Sequence, residues 1–267
     1  MTVFHLLLVA ILQGLTEFLP VSSSAHLILL PALTGMDDQG QTIDVAVHIG
    51  TLGAVVLYFW PDVRMGLLGL PRLMRGRVDT QGAWLALCLI IATIPVIVLG
   101  LILKLTGLDA MMRSMAVIGW TMIIFGIFLY WADQRGETTK TAENWSLRDA
   151  VIMGLWQAVA LIPGTSRSGI TVSAARMLGY KREDAARLSM LMSVPTILAS
   201  GLLLGAEVVA DANYAVLRDA AIGAAFAFVS ALLALTLMMR LLKTISFTPY
   251  VIYRVILGAI LLVIAYS

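Results

Sequence analysis

Two ionised side chains stand in stretches of this chain where almost nothing else is charged. They are Glu17 and Arg167. A charge at membrane depth costs roughly 2.5–3.5 kcal/mol on insertion scales, so each needs a reason. Each also lies beside a proline and a group of hydroxyls. Glu17 is followed by Pro20, Ser22, Ser23 and Ser24; Arg167 is preceded by Pro163, Gly164, Thr165 and Ser166 and followed by Ser168 and Thr171. One reading makes the two charges a structural ion pair. The other places them in a water-filled site that does chemistry, and the neighbouring residues favour it.

Ser22 and Ser23 lie four and three residues before His26, so on a helix they share its face. Serines at a helix start cap free N–H groups, but three hydroxyls exceed what one cap needs. A hydroxyl beside an imidazole is a nucleophile with a base. Around Arg167, a second helix start would attract an anion through unpaired N–H groups and the positive end of the dipole. Arginine adds a forked donor matched to phosphate. Gly164 and Gly169 permit close backbone approach. Two such helix starts brought together suit a diphosphate better than a carboxylate. Gln13 and Glu17 are four apart, on one helical face. Gln13 could make an interhelical hydrogen bond. Glu17 could act as a base or hold a hard cation, since Mg²⁺ often takes only one or two carboxylates plus phosphate oxygens.

These residues need elements to hold them, and the composition says which. The chain is 60% hydrophobic and only 13% charged, with a mean hydropathy of +0.94. That excludes a water-soluble globule and fits a helical bundle with a lipid-facing surface. A spanning helix needs roughly 20 apolar residues. The runs 44–60, 83–103, 114–132, 188–206, 220–239 and 249–266 qualify, giving six predicted spans. Two further apolar regions, 3–35 and 150–178, are interrupted at Pro20 and at Pro163-Gly164. The first divides into about 3–18 and 22–34.

The two interrupted regions read as copies, 143 residues apart from Pro20 to Pro163, each followed by three spans. The chain is thus expected to be one membrane domain, 1–267, built from repeats of about 1–135 and 145–267. An odd number of crossings per repeat would invert the second copy. Short, Pro- or Gly-interrupted segments at matching places in two halves point to a site at the membrane midplane. Loop charges support re-entrant geometry for 150–178: twelve Lys or Arg then fall on one side and three (Lys104, Arg113 and Arg218) on the other. If that region crossed the membrane, the division would be eight to seven. The positive-inside rule favours the first arrangement, with both termini outside. Trp60, Trp84, Trp131 and Trp145 then fall near the cytoplasmic boundary.

Other polar residues attract weaker readings. His48 could line the cavity or make a packing hydrogen bond, and His5 reads as peripheral. Arg176 and Arg254 could partner carbonyls or Asp44. Arg64, Arg72, Arg75 and Arg77 set topology and could touch anionic lipid. The single cysteine, Cys88, excludes an intrachain disulfide and reads as a small buried hydrophobe. The first Lys or Arg is Arg64, so the apolar start reads as part of the fold and not as a leader.

At these residues the chain resembles the undecaprenyl diphosphate phosphatases, also called bacitracin-resistance phosphatases. That family carries (Glu/Gln)-x-x-x-Glu, matched by Gln13 to Glu17. The motif continues into Phe-Leu-Pro-Val-Ser-Ser, matched by Phe18 to Ser23, with a His beyond, matched by His26. Its second motif, Pro-Gly-x-Ser-Arg-Ser-x-x-Thr, is matched from Pro163 to Thr171. The resemblance implies an all-α polytopic fold with six transmembrane helices and two re-entrant pairs in an inverted repeat. It implies a bacterial inner membrane, a site open to the periplasm, and hydrolysis of undecaprenyl diphosphate to the monophosphate and phosphate. That would recycle the lipid carrier for peptidoglycan synthesis and lower bacitracin sensitivity. It implies a divalent cation, Mg²⁺ or Ca²⁺, with Glu17 the carboxylate to hold it. Glu17, Ser23, His26 and Arg167 become the catalytic core. Ser22, Ser24, Ser166, Ser168, Thr171 and Gln13 become phosphate-binding residues. Many relatives have Glu where this chain has Gln13, which removes one carboxylate. A polyprenyl phosphate transporter is the alternative from another class. The expected partners are the polyprenyl lipid and the bilayer. Nucleic acid is not expected, and a homodimer is among the assemblies open to the chain.

Overall fold

The computed structural model describes residues 2–35, 39–108, 112, 114–209 and 214–267. Arg113, one of the three charges assigned above to the outer side, lies outside the described residues. The molecule is helical. In chain order the helices are α1 (Val3–Glu17), α2 (Ser23–Thr34), α3 (Gly40–Tyr58), α4 (Trp60–Met74), α5 (Gln81–Thr106) and α6 (Met115–Arg135). A 3₁₀ turn, Ala142–Asn144, precedes α7 (Leu147–Val159), α8 (Arg167–Met177), α9 (Arg182–Val209), α10 (Tyr214–Leu241) and α11 (Thr248–Tyr266).

Among the described residues six helices are long and apolar enough to cross a membrane: α3, α5, α6, α9, α10 and α11. They correspond to the six runs read from hydropathy. The buried share of the best apolar window is only 28% in α5 and 22% in α11. Most of that apolar surface therefore needs lipid as its solvent. Ile94, Leu101, Leu233, Leu237, Ile256 and Ile260 are among the residues left outward.

Capping explains where several helices begin. Thr80 accepts from Ala83 N–H, Ser114 from Val117 N–H and Ser146 from Asp149 N–H. The stretch that carries Arg64 and Arg72, read above only as topology determinants, forms α4. Its signals were local: Pro61 in the first turn, Asp62 beside it and Arg72 in the last turn.

The interrupted regions fold as two short helix pairs, α1–α2 and α7–α8. At each break the residue before the second helix adopts a positive φ: 72° at Ser22 and 70° at Ser166. They are the only non-glycine residues with positive φ among those described. Ser166 lies 144 positions after Ser22, and Gln157 lies 144 after Gln13. Both glutamines are fully buried. The geometric register of the two regions is thus one residue longer than a Pro20-to-Pro163 alignment gives. Packing exchanges the halves: α1 packs on α10, and α7 packs on α5. Glycine makes both contacts close. A Cβ at Gly14 would overlap Ser230 and the backbone of Ala227, and one at Gly154 would overlap the backbone of Ala92. The helices α3 and α9 pack against one another between the two pairs, and α6 packs on α11.

Candidate active site

The breaks bring together residues far apart in sequence. Arg167, the first residue of α8, places Nη2 2.7 Å from Glu17 Oε1 at the end of α1. The other carboxylate oxygen, Oε2, accepts from Ser23 Oγ at 2.7 Å and from Gln13 Nε2 at 2.9 Å. His48 Nε2, on α3, lies 3.8 Å from the same oxygen. The His48 Nδ1–H donates to Asp44 O at 2.6 Å, which fixes the ring. Glu17 is therefore the hub of the cluster. Its Arg167 pair is the structural ion pair considered above. The same carboxylate also takes the proton of a serine hydroxyl, which a purely structural pair does not require.

The hydroxyls divide into two groups. Ser23 opens α2 and points its proton at Glu17. Ser24 is exposed, and its Oγ is 3.2 Å from Ser22 Oγ. The same spacing recurs between Ser166 and Ser168. Ser166 caps Gly169 N–H, whereas Ser22 makes no side-chain cap. Ser168 and Thr171 are buried, and their hydroxyls are engaged by protein. Ser168 Oγ donates to Leu19 O at 3.0 Å, joining one break to the other. Thr171 Oγ1 donates to Arg167 O at 2.8 Å and, with its proton so used, accepts from Ser189 Oγ at 2.6 Å. These two residues brace Arg167 and the Pro20 turn. In this arrangement both hydroxyls donate to backbone carbonyls.

His26 is held by contacts outside the Glu17 cluster. Its Nδ1 lies 2.7 Å from Ser22 O and its Nε2 lies 2.6 Å from Tyr253 Oη. A carbonyl can only accept, so Nδ1 carries the proton and Nε2 accepts from the tyrosine. Both ring nitrogens are engaged, the ring stacks on Tyr253 with an interplanar angle of 3°, and Ser23 bonds Glu17 instead. Shared helical face placed His26 near Ser23 in sequence. In the structure the ring instead meets Tyr253 of α11.

Sequence reasoning underrated Arg254. It is fully buried in α11, and its guanidinium donates to Pro20 O, Gly164 O, Thr165 O and Met122 O at 3.3, 3.0, 2.9 and 3.2 Å. One side chain thus holds the carbonyls of both breaks. The signal was present as a lone arginine in an apolar run. Arg176 is likewise buried and bonds carbonyls of Asp133, Gly136, Glu137 and Tyr180 together with the Asp133 carboxylate. Both arginines partner carbonyls, and neither contacts Asp44, which accepts from Gln39. Ser189 was not identified; nothing distinguishes it within the apolar run of α9.

The sequence that builds this arrangement matches a known family. The family model described as bacitracin resistance protein BacA matches residues 6–260. The chain belongs to this family. Its relatives include an undecaprenyl-diphosphatase of Dinoroseobacter shibae, 74% identical over 267 residues and 100% of both chains. One from Roseobacter denitrificans is 70% identical over the same span and coverage. One from Chromohalobacter salexigens is 45% identical over 259 residues, 97% of each chain. The family match covers both breaks and every residue of the Glu17 cluster. It extends through Arg254 on α11, so the clasp on both turns lies within the family's own span.

Proposed function

We propose that the chain hydrolyses undecaprenyl diphosphate to undecaprenyl phosphate and inorganic phosphate, as the names of its relatives state for them. The observation that carries the mechanism is the Ser23–Glu17–Arg167 chain of contacts. An entering diphosphate competes with Glu17 for the Arg167 guanidinium. That frees Glu17 to take the Ser23 proton as Ser23 Oγ attacks the terminal phosphorus. The bond to the bridging oxygen breaks, and undecaprenyl phosphate leaves carrying the proton that Glu17 took from Ser23. Water then attacks the phosphoserine and gives its proton to Glu17, which returns it to Ser23 Oγ as phosphate is released. Arg167 and the openings of α2 and α8 stabilise the charge that grows on the phosphoryl oxygens, the main protein contribution in phosphoryl transfer.

A divalent cation fits this donor set. No group of three or more His, Cys, Asp or Glu occurs among the described residues, so a site made wholly of protein ligands is not what they offer. Glu17, the Ser23 hydroxyl and the buried, unpartnered Gln13 Oε1 supply hard oxygens, and substrate phosphates would complete the shell. Mg²⁺ or Ca²⁺ held there would neutralise phosphate charge.

The matching positive-φ turns and the exchanged packing support reading the halves as inverted repeats with re-entrant pairs. With the loop charges, they support a bacterial inner-membrane location, external termini and a site reached from the periplasm. In that setting the reaction would return the carrier to peptidoglycan synthesis and lower bacitracin sensitivity. The deciding test is phosphate release from undecaprenyl diphosphate by purified protein in detergent, where no two sides exist. Release establishes the enzyme. Movement of lipid in vesicles without release would establish the transporter.

A further inference from the structure

One cavity lies away from the Glu17 cluster. It has a volume of about 590 Å³ and lies between the start of α4, the start of α5, the 3₁₀ turn and α9. Arg187 lines it, two residues before Ser189. Two residues of helix rotate about 200°, so this cavity and the catalytic cluster occupy nearly opposite faces of α9. An apolar groove of about 220 Å³ continues from it, sharing Asp62 and Leu191.

The groove is made from three helical stripes. Val63, Gly66, Leu67 and Leu70 follow i, i+3, i+4, i+7 spacing on α4, and Leu191, Val194, Pro195 and Leu198 do so on α9; α5 closes it. Leu67 and Leu198 are exposed at its mouth. From Arg187 to Leu198 the helix rises roughly 16 Å, the reach of an acyl chain.

The cavity's charged lining is Asp62, Asp79, Glu143 and Arg187. Arg187 binds Asp62 with two nitrogens and Glu143 at 2.8 Å. Glu143 and Asp79 remain 60% and 50% exposed, and Asp79 accepts from Arg72 at 2.7 Å. A hydrogen bond from its own backbone, then Arg187 and Thr141, hold the Glu143 carboxyl below the usual range, so it is an anion at neutral pH. Three carboxylates stand against Arg187 and Arg72, and the one left in excess favours a cationic group. At the same rim Thr80 and Gln81 open α5, whose first-turn N–H groups favour phosphate. Trp145, also in the wall, has an indole N–H without an acceptor among the described residues.

We propose that this cavity and groove form a second lipid site, holding a zwitterionic aminophospholipid of the bilayer. Its ammonium sits at Glu143 and Asp79, its phosphate at the opening of α5, and one acyl chain in the groove.

Full-length protein in mild detergent, offered an equimolar mixture of phosphatidylethanolamine and phosphatidylglycerol of matched chains, tests this by native mass spectrometry. Wild type should retain the ethanolamine lipid. Gly66→Leu, which fills the groove from a position where an added Cβ meets only Leu85, at 3.9 Å, should lower retention about 10-fold. Leu198→Trp, at an exposed position, is the second block should Gly66→Leu not fold. Asp79→Asn with Glu143→Gln should keep lipid bound but lose the preference for the amine. Equal retention by the blocked variants, preference of wild type for the glycerol lipid, or displacement by undecaprenyl phosphate would each overturn the proposal.

Discussion

At the scale of single residues the site turns on one carboxylate serving three donors. Arg167→Lys keeps the charge but loses the fork that can hold Glu17 and a phosphate together. Its kcat should fall by about 100-fold or more, with phosphate release as the measurement. Ser23→Ala should abolish transfer of labelled terminal phosphate to the protein during a rapid-quench turnover. If label still appears on the chain in that variant, the nucleophile is another group. His26 gives a sharper contrast, because its contacts make it a positioning residue. In His26→Asn the side-chain amide can still donate to Ser22 O, so most activity and the acidic limb of the pH–kcat profile should survive. In His26→Ala the Ser22 turn loses that donor, and kcat should fall about 100-fold. Loss of the acidic limb in His26→Asn would return His26 to the role of base. The motif identified these residues, but not their partners. Spacing on a helix places Ser23 near His26. It cannot show that Ser23 is taken by Glu17 and His26 by Tyr253.

At the scale of elements, the second helix of each pair is preceded by a serine in a backbone conformation that glycine tolerates and other residues resist. Such a conformation costs about 1–3 kcal/mol. Ser22 makes no cap, so Ser22→Gly should raise the unfolding free energy in detergent by about 1 kcal/mol. Ser166→Gly removes a cap as it relieves strain, so its change should be smaller. Six spans and two interrupted regions were legible because lipid imposes length and apolarity, and proline announces each break. The helix α4 was not legible as an element because its charges suggested a loop and its apolar stripe is only half of its surface. Its distinguishing signals, Pro61 and the charges at its two ends, were visible and unused. The cross-packing of α1 on α10 and α7 on α5 depends on glycines facing small residues 60 to 220 positions away, which no local pattern specifies.

At the scale of the whole molecule, a buried guanidinium ties two distant turns to one helix. Arg254 supplies donors to carbonyls on both breaks, and each buried acceptor left without a donor costs about 1–3 kcal/mol. Arg254→Met should therefore lower the unfolding free energy by about 3 kcal/mol and reduce kcat together, read by thermal unfolding and phosphate release on one preparation. Orientation is testable on the same scale. With Cys88 replaced, a single cysteine at Asp79 should be protected from an impermeant maleimide in intact cells, and one at Gly107 should react. The reverse pattern would invert the topology read from the loop charges. The clasp made by Arg254 also has a consequence for biogenesis. The donor lies in α11, while its acceptors lie in segments translated before it. A nascent chain can insert its earlier helices in order, but the two turns acquire their shared anchor only when α11 joins them. Until then it would be an inserted protein without a finished catalytic centre.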